Sequence, residues 1–205
     1  MPYWRRWPAV EPSMHLSPPD PLPAELPARA GPGARLHARE QRWCLLANRM
    51  CMRRSVRGYF ACVSRLGDGF AWYALIASLA VLGGEGGRLT ALHMAAVGLA
   101  SLALYRGLKR WTRRPRPFAA DLRIRAWVAP LDEFSFPSGH TLHAVAFSVV
   151  ALAHYPVLAP LLLPFSASVA ASRVVLGLHY PSDVLAAIAM GLALGGGSLW
   201  LAGVA

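Results

Sequence analysis

Lysine occurs once in this chain, at Lys109, against twenty arginines, and only ten residues are acidic. The formal net charge of +11 admits three kinds of partner: nucleic acid, an anionic membrane surface or an anionic substrate. Position narrows the choice. The basic residues lie before or at Arg65 and between Arg106 and Arg125, with only Arg88 and Arg173 outside those regions. Much of this charge flanks apolar segments instead of covering one water-exposed face, which argues against a nucleic-acid binder. Cysteine is also scarce. Cys44, Cys51 and Cys62 form no CxxC pair, and an odd count does not suggest a disulfide framework. They read as small apolar residues on a helix. The first forty residues lack the apolar run of a cleavable signal peptide, so membrane insertion is expected to use internal segments.

What the chain has in excess is apolar residues. Of its 205 residues 55% are hydrophobic and 15% charged, and the mean hydropathy is +0.37. A soluble domain of this length is rarely so apolar. Residues 1–36 are rich in Pro, Ala and Arg without apolar periodicity and are expected to be a disordered tail. Residues 37–66 interleave apolar residues with seven arginines, the pattern of a basic amphipathic helix lying in the membrane interface. Residues 67–205 carry five apolar segments: about 70–84, 89–108, 138–155, 157–178 and 183–204. A span takes roughly 20 apolar residues, so the first and third are short. Gly191 and Gly195 have the spacing that lets two helices approach closely. The expected fold is all-α: an integral membrane bundle of about five transmembrane helices behind an N-terminal interfacial helix.

Three clusters of polar residues interrupt the apolar pattern. Lys109 is followed, after six intervening residues, by Arg116-Pro117, beyond the second segment. Pro137-Ser138-Gly139-His140 opens the third. Ser172-Arg173, His179 and Asp183 bridge the fourth and fifth. If the segments alternate across a membrane, all three clusters reach the same face. Lys109, Arg116 and Arg173 would supply fixed positive charge, and arginine forks match phosphate oxygens in two-point hydrogen bonds. Ser138 and Gly139 sit at an expected helix start, where unpaired backbone N–H groups attract anions. His140 and His179 can serve as acid and nucleophile, and Asp183 can accept a hydrogen bond from His179 and fix its tautomer. Pro181 separates His179, in the turn, from Asp183, in the first turn of the last segment.

The stretches KRWTRRPRP, PSGH and SRVVLGLHYPSD resemble the three signature motifs of the type 2 phosphatidic acid phosphatase family, in order and at the family's spacing. The resemblance covers roughly residues 70–200. It implies a metal-independent membrane phosphatase, without a cofactor, acting on a lipid phosphate or polyprenyl diphosphate. His179 would attack phosphorus and form a phosphohistidine, and Asp183 would support it. His140 would protonate the leaving oxygen and then activate water. Lys109, Arg116, Ser138, Gly139 and Arg173 would hold the phosphoryl oxygens. Partners would be the lipid substrate and membrane lipids, not nucleic acid. Two other readings accompany this one: a vanadate-dependent haloperoxidase-like oxidation, disfavoured by the membrane segments, and a non-enzymatic membrane scaffold, disfavoured by the filled motifs.

Of the other polar residues, His143 is expected to line or pack, and Asp132 and Glu133 to belong to a solvated loop. His93 and His154 are expected near the opposite face. The chain is expected in the inner, cell membrane as a multi-pass protein. The face carrying the three clusters would hold every Lys and Arg except Arg88, so the excess of positive charge places it in the cytoplasm.

Overall fold

The computed structural model describes residues 32–204, and the tail expected over 1–36 lies outside them up to residue 31. From Pro32 the chain is already helical. Eight α-helices follow: α1 (Pro32–Arg49), α2 (Arg54–Arg65), α3 (Ala71–Leu82), α4 (Gly84–Thr112), α5 (Pro117–Ala120), α6 (Gly139–His154), α7 (Ala159–Val175) and α8 (Pro181–Leu201).

The single interfacial helix expected over residues 37–66 divides at Met50–Arg53, where Arg53 is extended. Only the first part, α1, remains separate. One of its faces carries Glu40, Cys44 and Asn48 at a spacing of four, all buried against α7 and α8. Arg39, Arg42, Trp43 and Leu46 are exposed on the rest, a mixture that suits the headgroup layer. The second part, α2, runs on through a widened turn at Leu66–Phe70 into α3. That continuation makes Arg54–Leu82 a 29-residue helix and explains why the first apolar segment alone is too short for a span.

Four helices among the described residues are long and apolar enough to cross a membrane: Arg54–Leu82, Gly84–Ala120, Pro156–Val175 and Pro181–Leu201. The chain is a multi-pass membrane protein. Helix α6 has 16 residues and lies at the centre, packed against α4, α7 and α8. Its small residues let these neighbours close in. Ala144, Ala146 and Ala151 are fully buried. A Cβ added at Gly191 or Gly195 of α8 would fall 2.8 or 2.9 Å from the Cβ of Val145 or Val149 on α6. Lipid is as apolar as leucine, so close van der Waals contact of this kind holds the helices together more than burial from water does. On the other side of α6, Trp72 packs 5.4 Å from both Phe147 and Phe165.

Helices α4 and α7 end, and α6 and α8 begin, at the same end of the bundle. The peptide N–H of Ser138, before α6, donates to the carbonyl of Asp183 in α8 at 3.3 Å. Arg113 closes α4 in the left-handed region (φ 46°, ψ 31°) and turns the following residues back over the helix ends.

Candidate active site

The bundle end encloses a cavity of about 450 Å³, within the range of small-molecule sites. Lys109, Arg116, Arg173, Gly139, His140 and His179 all reach its wall. The remainder is largely apolar and aromatic, from α3, α4 and α6, including Trp72, Leu99 and Phe147. The chain thus builds a cavity with one cationic end and one greasy end.

His179 lies in the turn after α7, and Tyr180 caps α8, with Pro181 in its first position. His179 Nδ1 is 2.6 Å from the carbonyl oxygen of Ser135. A carbonyl only accepts, so Nδ1 carries the proton and Nε2 is left with a lone pair. Arg116 NH1 donates to Nε2 at 3.2 Å. Burial, followed by the charges of Arg116, Arg173 and Lys109, holds His179 well below the ordinary imidazole range. The ring is therefore held neutral, with its Nε2 lone pair accepting from Arg116 among three cations.

The tautomer is not set by the expected residue. Asp183 Oδ2 is 3.7 Å from His179 Nδ1, beyond hydrogen-bond distance. Its carboxylate is engaged elsewhere: Oδ2 accepts from the Tyr180 N–H at 2.8 Å and Oδ1 from Arg114 NH1 at 2.6 Å. Arg114 also donates to Ser182 Oγ at 2.7 Å and to Glu40 Oε2 at 2.7 Å, and its guanidinium stacks over the Tyr180 ring at 4.2 Å. Glu40 Oε1 accepts from the Ser182 N–H at 3.0 Å. Burial works against the ionised form of Glu40, but Ser182 and Arg114 outweigh it and hold the carboxyl below its usual range. A chain of charged hydrogen bonds thus runs from α1 to the base of the His179 turn. Asn48 adds a second brace, donating to the carbonyls of Arg125 and Val175 at 2.9 and 3.0 Å. The buried thiols of Cys44 and Cys51 are pushed up to about 12 and about 11 by burial, so they stay as unreactive thiols in this packing.

Ser138 also differs from expectation. It is fully buried behind the cavity wall as the cap of α6, with Oγ 3.0 Å from Thr141 Oγ1, and it is the following Gly139 that borders the cavity. His143 lines the cavity, stacked on Phe147 with ring centroids 5.3 Å apart. His93 and His154 meet edge to face, centroids 6.2 Å apart, on helix segments away from this end.

Asp132 lies exposed in a loop, as expected, but its carboxylate is not free. Its Oδ1 and Oδ2 accept from Lys109 Nζ at 2.6 and 2.7 Å, and Oδ1 also from Arg116 NH2 at 2.8 Å. Burial raises its carboxyl, and Lys109 and Arg116 outweigh that and hold it below the usual range. Lys109 gives its third hydrogen bond to the Phe134 carbonyl at 3.1 Å, and Arg116 Nε donates to the Asp132 carbonyl at 3.1 Å. Arg173 contrasts with both. It is 2% exposed, donates through NH1 to Ser64 Oγ at 2.5 Å, and has a buried Nε without a partner. A buried guanidinium needs an anion to offset its desolvation, and no carboxylate lies within ion-pair distance of it among the described residues.

These features define the class: an all-helical membrane bundle whose cavity, cationic at one end and apolar at the other, holds a buried, hydrogen-bonded histidine. Residues 90–203 match the PAP2 superfamily, and the chain belongs to that family. It is 33% identical over 124 residues to a decaprenylphosphoryl-5-phosphoribose phosphatase of Mycolicibacterium smegmatis, covering 60% of this chain and 66% of that protein. It is 30% identical over 124 residues to the undecaprenyl-diphosphatase BcrC of Bacillus subtilis, covering 60% of this chain and 64% of that one. The matched region is thus somewhat under two thirds of these relatives. Its fold is like that of the transmembrane PAP2-type phosphatidylglycerolphosphate phosphatase from Bacillus subtilis, with a TM-score of 0.66 at 22% identity over 82% of this chain and 86% of the other. Aquifex aeolicus LpxE has a similar fold, with a TM-score of 0.65 at 22% identity over 77% of this chain and 92% of the other.

Proposed function

We propose that this protein is a membrane phosphatase that hydrolyses a lipid phosphate or polyprenyl diphosphate through a phosphohistidine at His179. The observation that carries this reading is the unprotonated Nε2 of His179 beside Lys109, Arg116 and Arg173 at the cationic end of an otherwise apolar cavity. The similarity to a decaprenylphosphoryl-5-phosphoribose phosphatase and an undecaprenyl-diphosphatase supports a polyprenyl-linked substrate.

The geometry supports the following roles. His179 Nε2 attacks phosphorus while the three cations and the Gly139 N–H, at the positive end of α6, stabilise the charge spread over the phosphoryl oxygens. His140 protonates the leaving oxygen and then takes a proton from the water that releases phosphate. Asp183 acts one step back: through Arg114 and the Tyr180 N–H it fixes the turn that presents His179. Ser138 acts by capping α6. No step is assigned to a metal or cofactor. Detergent-purified protein should release phosphate from lipid phosphates or diphosphates with EDTA present. No release from any of them by folded protein would overturn the reading.

In the same account Asp132 is an internal stand-in for the phosphoryl group. All three donors of Lys109 and four of the five of Arg116 are engaged in the structure, three of these seven by the Asp132 carboxylate, so a phosphate bound by both cations displaces that carboxylate. Asp132→Asn keeps the shape and removes the competing charge. We expect its Ki for inorganic phosphate to fall about tenfold, equivalent to ~1.4 kcal/mol, and its melting temperature without phosphate to fall. An unchanged or higher Ki would show that Asp132 does not compete with phosphate.

The charge distribution supports a cytoplasmic catalytic face. A reporter fused after residue 205 should then read as periplasmic or external. A cytoplasmic C-terminus would reverse the orientation.

A further inference from the structure

A proton donor must be held as firmly as a nucleophile, and none of the three sequence clusters holds the His140 ring. A carboxylate from outside them does. Asp68 lies in the widened turn Leu66–Phe70, midway along the first span, where Gly69 takes φ 138°, a conformation that other residues rarely adopt. This break in the helix brings Asp68 to the cavity wall beside His140, and Asp68 Oδ1 is hydrogen-bonded to His140 Nε2. Among the described residues it is the one hydrogen bond that the His140 ring makes to a side chain or carbonyl. The His140 side chain is 10% exposed and that of Asp68 37%, so the pair sits at the boundary between the protein and the cavity. A lone acidic residue in an apolar span is costly unless it has a partner and a use.

We infer that Asp68 is the positioning residue of His140. The inference rests on the phosphatase reading above. An ionised carboxylate only accepts, so His140 Nε2 carries a hydrogen and Nδ1 becomes the nitrogen that gives and takes the proton. In the first half-reaction the phosphorus–oxygen bond to the lipid breaks as His179 Nε2 bonds to phosphorus. The electron pair stays on the lipid oxygen, which takes the proton from Nδ1. In the second, water oxygen bonds to phosphorus and gives a proton to Nδ1. The phosphorus–nitrogen bond breaks, and its electron pair returns to His179. Asp68 stays ionised throughout and stabilises the imidazolium.

Leaving-group chemistry separates this role from a purely structural one. An alkoxide leaves poorly without a proton, whereas a nitrophenolate leaves without one. The full-length protein in detergent is assayed on a long-chain alkyl phosphate and on a nitrophenyl phosphate bearing a chain of similar length. Asp68→Asn and Asp68→Ala should lose about a hundredfold in kcat/KM on the alkyl substrate, within the usual range for general acid catalysis, and Asp68→Glu should recover part of it. On the aryl substrate the same variants should stay within about threefold of wild type, because no proton donor is needed there. The ratio of the two rates in one preparation does not depend on how much of it is folded. Equal losses on both substrates, or no loss on the alkyl one, would overturn the role of Asp68. Full activity of His179→Ala on both substrates would instead overturn the phosphohistidine step, and no release from either substrate by folded wild-type protein would overturn the phosphatase reading on which it rests.

Discussion

His179→Ala is expected to reduce kcat for phosphate release on the order of 10⁴-fold or more, the scale seen when a covalent nucleophile is removed. The size follows from what the residue does. In the proposed mechanism it forms the bond to phosphorus, and no neighbouring group is placed to substitute for it: His140 is hydrogen-bonded to Asp68, and the thiols of Cys44 and Cys51 are buried behind the turn. The structure also sets the pH behaviour. Burial and three nearby cations keep His179 unprotonated, so its lone pair should survive as pH falls through the ordinary histidine range near 6.5. An acid limb of kcat/KM placed in that range by His179 would contradict the neutral state derived from its surroundings. His179→Asn is a useful second variant, since it keeps a polar group in the turn and should be equally inactive.

Arg114→Leu is expected to have the largest effect on stability, about 3 kcal/mol, the lower end for breaking a buried charge pair because Arg114 keeps some exposure. The substitution removes the guanidinium that joins Glu40 to Asp183 and leaves the fully buried Asp183 with one peptide N–H as its remaining partner. Glu40 keeps the Ser182 N–H. Loss of the link should loosen both α1 and the His179 turn, so kcat should fall along with the unfolding midpoint in detergent. Glu40→Gln, which retains two hydrogen-bonding oxygen and nitrogen positions, should cost less than Arg114→Leu. An Arg114→Leu protein with wild-type stability and kcat would mean that α1 is an independent surface helix.

The cations and histidines of this site are legible in sequence because each is a side chain at a characteristic spacing on a span whose direction can be counted. Lys109, Arg116, Gly139, His140, Arg173 and His179 meet at one cavity for that reason. The features missed have a different character. The group that fixes the His179 tautomer is the Ser135 carbonyl, and a backbone oxygen leaves no trace in residue identity. Arg114 is one of four arginines within eight residues, and nothing local marks it as the one bonded to Asp183. Glu40 reads as one acid on a basic helix, although its i, i+4, i+8 relation to Cys44 and Asn48 was a visible sign of a docked face. Asp68 sits in LGDGF, which reads as an ordinary helix break before the first apolar run. The arginines of α2 hid the true start of that span, because hydropathy scores a charge without knowing which side of the helix it occupies.

The histidine intermediate is the central claim, and rapid quenching of the protein with a radiolabelled lipid phosphate tests it most directly. The account predicts a protein-bound phosphoryl group that is stable to alkali, labile to acid, located at His179 and absent from His179→Ala. Phosphate release at full rate with no such species, from an enzyme in which His179→Ala is also active, would contradict it.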